Sequence, residues 1–224
     1  MAGLFGDAVL RHRTFRSALS HRLAGKLEDR SLPADELRDV IDAAHRADPS
    51  MVDAARADLG AILESDPACT GYVRPFLFYK GFLALQSHRV AHWLYKAGHE
   101  ARARQLQARG CDRFDVSIHP GARVGRGVFI DHGSGIVIGE TAVVGDGVSI
   151  LQGVTLGGSG AAGGDRHPKI GRGVLLSAGA TVLGPVTVGD HAKVAASSLV
   201  LSDVPTGCTA VGVPARLVNC PGCG

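Results

Sequence analysis

Two short stretches of this 224-residue chain hold side chains in arrangements that could do chemistry. In the first, Asp131-His132 is followed by Gly133 and Gly135. The glycines leave room beside an imidazole held outside a packed interior. Histidine titrates near neutrality, so His132 is the leading candidate for a general base that takes a proton from a hydroxyl as its oxygen attacks a carbonyl carbon. The bland reading of the same residues is a surface histidine in a turn. The second stretch, Gly157 to Pro168, is glycine-rich and ends in Arg166, His167 and Pro168. A planar guanidinium holds both oxygens of a carboxylate at once, so an arm delivering Arg166 and His167 suits carboxylate recognition. It lacks the Gly-Lys-Ser/Thr ending of a phosphate loop and no helical pattern follows it, which argues against that kind of nucleotide site.

Both stretches interrupt a repeat of six. One aliphatic track runs Ile118, Val124, Ile130, then Ile138, Val144, Ile150, Leu156, then Ile170, Leu176, Val182, Val188, Val194, Val200. A second runs Val116, Ala122, Val128, then Ile136, Ala142, Val148, Val154, then Val174, Ala180, Val186, Ala192, Ser198, Val204. A helical face needs apolar residues three and four apart and a strand needs alternation. A strict period of six therefore predicts short strands joined by turns at fixed intervals, three to a coil. Stacked coils pair every backbone group with the coil above or below while the two tracks fill the interior. The expected fold is a parallel β-helix of about five coils, since the strands of a β-sandwich are longer and its turns less regular. Gly125, Gly139, Gly145, Gly171 and Gly189 each follow a track residue, where a tight corner favours a residue without a Cβ. The phase slips fall at 131–135 and 157–168, so the candidate chemistry sits where the regular coil is broken.

Composition divides the chain. Residues 1–110 hold most of the charge and nearly all the aromatics, residues 111–218 are rich in Gly, Val and Ala, and 219–224 form a short tail. In the front part, apolar residues at helical spacing mark 8–26, Pro33 with Asp35 and Glu36 opens a helix reaching about Ala47, and another spans about Met51 to Leu63 before Asp66-Pro67 breaks it. From Pro75 a long helix follows through Tyr95, apolar on more than one face, which suits a subunit interface better than a private core.

A net charge of +3, with no basic run interleaved with aromatics, argues against nucleic acid. The N-terminal segment with Arg11, Arg13 and Arg16 lacks the apolar core of a signal peptide, and no stretch approaches the ~20 apolar residues of a membrane span. A soluble cytoplasmic protein is expected. Five scattered cysteines do not form a disulfide framework. Cys220-Pro-Gly-Cys223 could be a redox couple or half a zinc site, but it lacks a second ligand pair and reads as a reduced, frayed tail. His119, His132, His167 and His191 could in principle share a metal, but their spacing does not gather three at one place, so no metal is expected.

The hexapeptide tracks, the string Ile118-His-Pro-Gly-Ala-Arg-Val-Gly, Asp131-His132 with Gly-Ile-Val-Ile-Gly-Glu140-Thr, Val154-Thr-Leu-Gly-Gly158, Gly164-Asp-Arg-His-Pro-Lys-Ile170 and Gly212-Val-Pro-Ala-Arg216 together closely resemble the serine O-acetyltransferases. The resemblance extends to the front end through Ala18-Leu-Ser, Leu23-Ala-Gly-Lys-Leu27, Asp66-Pro67 and Lys80-Gly-Phe-Leu-Ala-Leu-Gln86. It implies an α+β chain in which a helical domain precedes a left-handed parallel β-helix. It also implies transfer of acetyl from acetyl-CoA to the hydroxyl of L-serine, giving O-acetylserine for cysteine biosynthesis, with no tightly bound cofactor. By family position His132 is the base, while Asp66, Asp131, Arg166 and His167 hold serine, the carboxylates on its ammonium and Arg166 on its carboxylate. Acetyl-CoA would lie in a groove between neighbouring β-helices of a trimer, with Gly158 and Ala178 near its pantetheine arm and Lys193 near its phosphates. The helices would pair two trimers, and L-cysteine would inhibit by occupying the serine site.

Two departures bear on function. The family places an acid immediately before Ile-His-Pro to partner the catalytic imidazole, and this chain has Ser117 there. Serine can orient an imidazole but cannot supply a countercharge to its protonated form, so a less basic His132 is expected, with Asp115 as a candidate substitute on the same strand face. The chain also stops at Asn219-Cys-Pro-Gly-Cys-Gly224 without the isoleucine-ended tail that family members use to bind O-acetylserine sulfhydrylase, so that complex is not expected. The alternatives are a hexapeptide acetyltransferase for another hydroxyl acceptor and a catalytically impaired paralogue that binds serine or cysteine.

Overall fold

The computed structural model describes residues 2–160 and 163–221. Its front half is helical: α1 (Ala2–Phe5) running into a π-turn (Gly6–Leu10), α2 (Phe15–Leu27), α3 (Ala34–Ala47), α4 (Ser50–Ser65), α5 (Val73–Phe78), α6 (Lys80–Lys96) and α7 (Glu100–Phe114). The Thr14 side chain accepts from the Ser17 N–H and so caps α2. Asp35 and Glu36 stand in the first turn of α3 with Arg46 in its last, matching the helix dipole.

The expected single helix from Pro75 to Tyr95 is two helices. Tyr79 is extended (φ −78°, ψ 108°) and separates α5 from α6. The break lets α6 start hard against the β-domain, where Gly81 approaches the carbonyl of Ile130. Nor does α6 present an interface: Gly81 through Ala91 are all buried within the chain itself, packed on α7 and on the first coil. Helix α7 was not legible, because its polar run of Arg and Gln obscures the few positions it buries, Ala103, Leu106, Gly110 and Phe114. It runs past residue 110 directly into β1.

From Val116 the chain winds into a left-handed parallel β-helix of five coils. One sheet stacks β1 (Val116–Ile118), β4 (Ile136–Ile138), β7 (Thr155–Gly157), β10 (Thr181–Leu183) and β13 (Leu199–Val200). A second stacks β2 (Arg123–Val124), β5 (Val143–Val144), β8 (Lys169–Ile170) and β11 (Thr187–Val188). The third stacks β3 (Phe129–Ile130), β6 (Ser149–Ile150), β9 (Leu175–Leu176), β12 (Lys193–Val194) and β14 (Thr209–Val211), closed by the antiparallel β15 (Arg216–Val218).

Register gives the size of each slip. Val137 pairs with Thr155 and Thr181 with Leu199, each 18 residues apart, which is one coil of three hexapeptides. Arg123 pairs with Val143, 20 apart, so two residues are inserted at 131–135. Val143 pairs with Lys169, 26 apart, so the arm at 157–168 adds eight. Both tracks line the interior, with Ala122, Ala142, Val148, Ile150, Leu156, Val182 and Val194 among the fully enclosed residues. The corner glycines are required for a reason other than turn conformation: a Cβ on Gly145 would lie 2.7 Å from the Gly171 carbonyl oxygen of the next coil, and one on Gly189 2.5 Å from the Thr206 nitrogen.

A buried ion pair joins the two halves. Asp58 of α4 accepts from Arg89 (2.8 Å) and Gln86 (2.8 Å) through one oxygen and from the Val128 N–H (2.9 Å) through the other, while Arg89 also donates to the Gly125 carbonyl at 2.8 Å. Every oxygen of a buried carboxylate is thus partnered, which is the condition for burying it. At the C-terminal end Cys208 and Cys220 form a disulfide. The expectation of a reduced, frayed tail is therefore corrected at Cys220, because β15 folds back along β14 and brings the two α-carbons within 4.2 Å; Cys223 lies outside the described residues.

Candidate active site

The two-residue insertion forms a corner between β3 and β4. His132 adopts a left-handed backbone (φ +56°), its imidazole is 72% exposed, and its Nε2 lies 3.7 Å from Asp131 Oδ2. The corner is clamped from the helical side. Gly133 is buried against Gly81, and Lys80 Nζ donates to Ser134 Oγ at 2.7 Å. From the other side the Gly135 N–H donates to the carbonyl (2.9 Å) and the carboxylate (3.0 Å) of Asp115, which ends α7 in a left-handed conformation. Asp115 is thus a strut for the loop that carries His132. Ser117 points outward from β1, and among the described residues no hydrogen bond joins either Ser117 or Asp115 to His132.

Asp66, just past α4, is linked to this corner. Its Oδ1 accepts from the Ala68 N–H (2.8 Å) and its Oδ2 accepts from the Tyr79 hydroxyl (2.8 Å). Burial and the adjacent Asp66 carboxylate push the Tyr79 phenol up to about 12, so it remains a donor throughout the physiological range. Tyr79 precedes Lys80, so a path from Asp66 through Tyr79 and Lys80 reaches Ser134, two residues past His132. Asp66 is thus tied through Tyr79 and Lys80 to the loop that carries Asp131 and His132. Lys80 falls in a segment that carries the family resemblance, but its bond to Ser134 and the bond of Tyr79 to Asp66 were not legible in the sequence.

Arg166 and His167 stand at a different corner, where β4 turns into β5 and the arm returns toward β8. Here Thr141 is the hub. Its Oγ1 accepts from the backbone N–H groups of Arg166 and His167 (3.1 Å each) and lies 2.8 Å from His167 Nδ1, while its own N–H donates to that Nδ1 at 3.2 Å. Its carbonyl accepts from Lys169 Nζ at 2.5 Å. His167 is buried, and its pKa is lowered first by that burial and then by Arg166, which favours the neutral imidazole. The Cδ2–Nε2 edge of the ring packs on Gly139, where a Cβ would come within 2.0 Å of Cδ2 and 2.1 Å of Nε2. Gly158 faces the same ring and the stem of Arg166, each 3.4–3.5 Å from a notional Cβ.

Of the remaining candidates, Ala178 lies two coils beyond His132 on the same corner, with its carbonyl accepting from the Ser197 N–H at 2.9 Å. Lys193 is exposed on β12 in the third sheet. The chain therefore does not gather all the candidates at one place. The three residues of β4, about 10 Å of extended backbone, separate the His132 corner from the Arg166 corner. A cavity of about 570 Å³ lies in the helical domain among His12, Phe15, Arg56, Leu59, Tyr72 and Phe76, and none of the candidate residues lines it. Among the described residues no group of three or more His, Cys, Asp or Glu is arranged to hold a metal, and no helix is long and apolar enough to cross a membrane.

Residues 1–87 match the family described as serine acetyltransferase, N-terminal, and residues 167–202 match the bacterial transferase hexapeptide family of six repeats. The chain is 49% identical over 222 residues to the serine acetyltransferase of Salmonella typhimurium, covering 99% of this chain and 81% of that protein. Its structure is similar to that of a serine acetyltransferase in complex with cysteine, with a TM-score of 0.97, 45% identity and coverage of 100% of this chain and 87% of the other. It is equally similar to a serine acetyltransferase from Brucella abortus in complex with coenzyme A, with a TM-score of 0.96, 47% identity and coverage of 100% and 90%.

Proposed function

The chain belongs to the serine acetyltransferase family, and from that membership we infer that it transfers the acetyl group of acetyl-CoA to the hydroxyl of L-serine, giving O-acetyl-L-serine and free coenzyme A. The observation that carries this reading is the agreement of near-full-length identity with a site whose charges match a zwitterion: carboxylates at one corner, Arg166 at the other. Asp66 and Asp131 receive the serine ammonium, and Arg166 with the Nε2–H of His167 receives its carboxylate. The serine hydroxyl then faces His132. As its oxygen attacks the thioester carbonyl, His132 takes the hydroxyl proton. When the tetrahedral intermediate collapses and the C–S bond breaks, the imidazolium returns that proton to the departing thiolate.

Because β4 separates the two corners, the site is completed between neighbouring copies, the His132 corner of one meeting the Arg166 corner of the next. A trimer packed through the β-helices supplies three such sites. Acetyl-CoA lies along the same groove, with its pantetheine beside Gly158 and the N–H of Ala178 and its phosphates near Lys193. Exposed Leu10, Tyr72, Val73 and Phe78 give the helical domains an apolar surface on which two trimers pair. L-Cysteine shares the ammonium and carboxylate of serine, so it competes for the same site, in keeping with the cysteine complex of the similar structure. The enzyme acts in the cytoplasm with acetyl-CoA as a diffusing cosubstrate. It holds no tightly bound cofactor.

Ser117 supports a second reading, a serine-binding protein that turns over poorly, since the acid usual at that position is missing. Asp131, at 3.7 Å from the imidazole, offers a countercharge from the other side. Thiol release from acetyl-CoA, followed with L-serine beside no acceptor, L-homoserine and a set of sugars, separates the readings. Serine-dependent release abolished by His132→Ala supports the transferase. Release only with another acceptor overturns the serine assignment, and serine binding without release identifies the impaired paralogue.

A further inference from the structure

Thr141 is exhausted by hydrogen bonds. The N–H groups of Arg166 and His167 can only donate, so they occupy both lone pairs of its Oγ1. The hydroxyl proton is then left for the remaining contact, His167 Nδ1 at 2.8 Å, and the Thr141 N–H reaches the same nitrogen at 3.2 Å. Nδ1 receives two donors and cannot itself carry a proton in the neutral ring. The proton of neutral His167 must be on Nε2. That edge of the ring faces Gly139 and Gly158, the two positions where a side chain would collide with it or crowd it. Lys169 closes the arrangement by donating to the Thr141 carbonyl at 2.5 Å and to the His167 carbonyl at 3.1 Å, which pins both ends of the turn.

We propose that Thr141 is a positioning and specificity-determining residue: it fixes the Nε2–H tautomer of His167 and the backbone of Arg166, so that the arm presents two donors side by side and selects an acceptor bearing a carboxylate. The inference rests on the serine reading above and deepens it. A neutral histidine in the other tautomer would turn an acceptor lone pair toward the carboxylate and repel it. With Nε2 always protonated, the ring donates whether neutral or charged. Gly139 belongs to the same device as its floor. Within the described part of the arm, the backbone N–H groups of both Arg166 and His167 are held by this one threonine.

The test is a substitution series with a spectroscopic check. Thr141→Val keeps the shape and removes the hydroxyl, and Thr141→Ser keeps the hydroxyl. Losing the bonds of one half-buried hydroxyl should raise KM for serine on the order of tenfold. The KM for acetyl-CoA and the kcat at saturating serine should stay within about twofold, and Thr141→Ser should restore the serine KM to within about threefold of the parent. In the unliganded parent, nitrogen NMR should show Nδ1 of His167 as the unprotonated ring nitrogen and Nε2 as the protonated one. A serine KM unchanged in Thr141→Val, failure of the serine variant to rescue, or a proton on Nδ1 in the neutral ring would each overturn the proposal. The NMR measurement needs neither a substrate nor a variant. A protein inactive toward serine would thus defeat the functional reading while this inference is still decided by the tautomer.

Discussion

Replacing Gly81 by alanine should disable catalysis from outside the site. A Cβ there would lie 2.2 Å from the carbonyl oxygen of Ile130, and 2.8 and 2.9 Å from two of its side-chain carbons. Ordinary contact begins near 3.4 Å, so the start of α6 has to retreat by roughly 1.2 Å. Lys80 is the preceding residue, and its 2.7 Å bond to Ser134 would stretch to about 3.9 Å, beyond hydrogen-bond reach. Ile130 immediately precedes Asp131-His132, so the corner loses its clamp and the imidazole shifts by about the same distance. A misplacement near 1 Å costs up to about 100-fold in rate, and overpacking costs about 1–3 kcal/mol of stability. We expect kcat to fall between ten- and 100-fold with KM for acetyl-CoA within about twofold, measured by thiol release at saturating substrates alongside urea unfolding. Gly60→Ala is the control: no atom lies within 4 Å of its Cβ and it sits inside α4, so it should be neutral in rate and stabilise by about 0.5–1 kcal/mol. Folded Gly81→Ala with kcat within twofold of the parent would refute the claim that α6 sets the position of His132.

Other outcomes are expected from the same geometry. Asp115→Asn keeps an oxygen for the Gly135 N–H and should retain turnover within about twofold, whereas Asp115→Ala should lose several-fold; a large loss in Asp115→Asn would show that its charge serves His132 after all. Burial lowers His45 to about 4 and His88 to about 3, so the unfolded chain takes up protons near pH 6.5 that the native one refuses. Their contribution to stability is complete above pH 6.5 and is lost as pH falls toward 4 and 3, at up to about 1.4 kcal/mol per pH unit for each; urea midpoints that do not move between pH 7.5 and 5 would contradict it. Asp58→Ala should destabilise by about 3–5 kcal/mol, because it leaves Arg89 buried at the junction of the two halves without its partner; a loss under 1 kcal/mol in chemical denaturation would show that the junction does not depend on that pair.

The β-helix was legible because its period admits one solution: tracks at 18-residue coil spacing bury the same positions in every turn, and the two breaks in phase coincide with the inserted corner and arm. The single residues that make those breaks functional were not legible. Thr141 and Ser134 look like ordinary turn residues until the fold brings Arg166, His167 and Lys80 to them, across 25, 26 and 54 positions of sequence. Helix α6 misled for a related reason. Apolar residues on several faces fit an intersubunit helix and an internal one equally well, and only the contacts with α7 and β3 distinguish them. Asp115 illustrates the reverse error. Alternation along an extended chain places it on the same face as Ser117, but the chain at Asp115 is left-handed, and its carboxylate closes on Gly135 instead.

The most direct test of the account is complementation between inactive variants. His132→Ala and Arg166→Ala are each expected to abolish serine-dependent thiol release when assembled alone. Co-expressed in equal amounts, with mixed oligomers verified by native mass, they should recover about one quarter of the parental rate, the share of sites in random assembly that pair an intact His132 corner with an intact Arg166 corner from a neighbour. Mixed oligomers that remain inactive would show that base and carboxylate anchor are supplied by the same chain, contradicting a site built between copies.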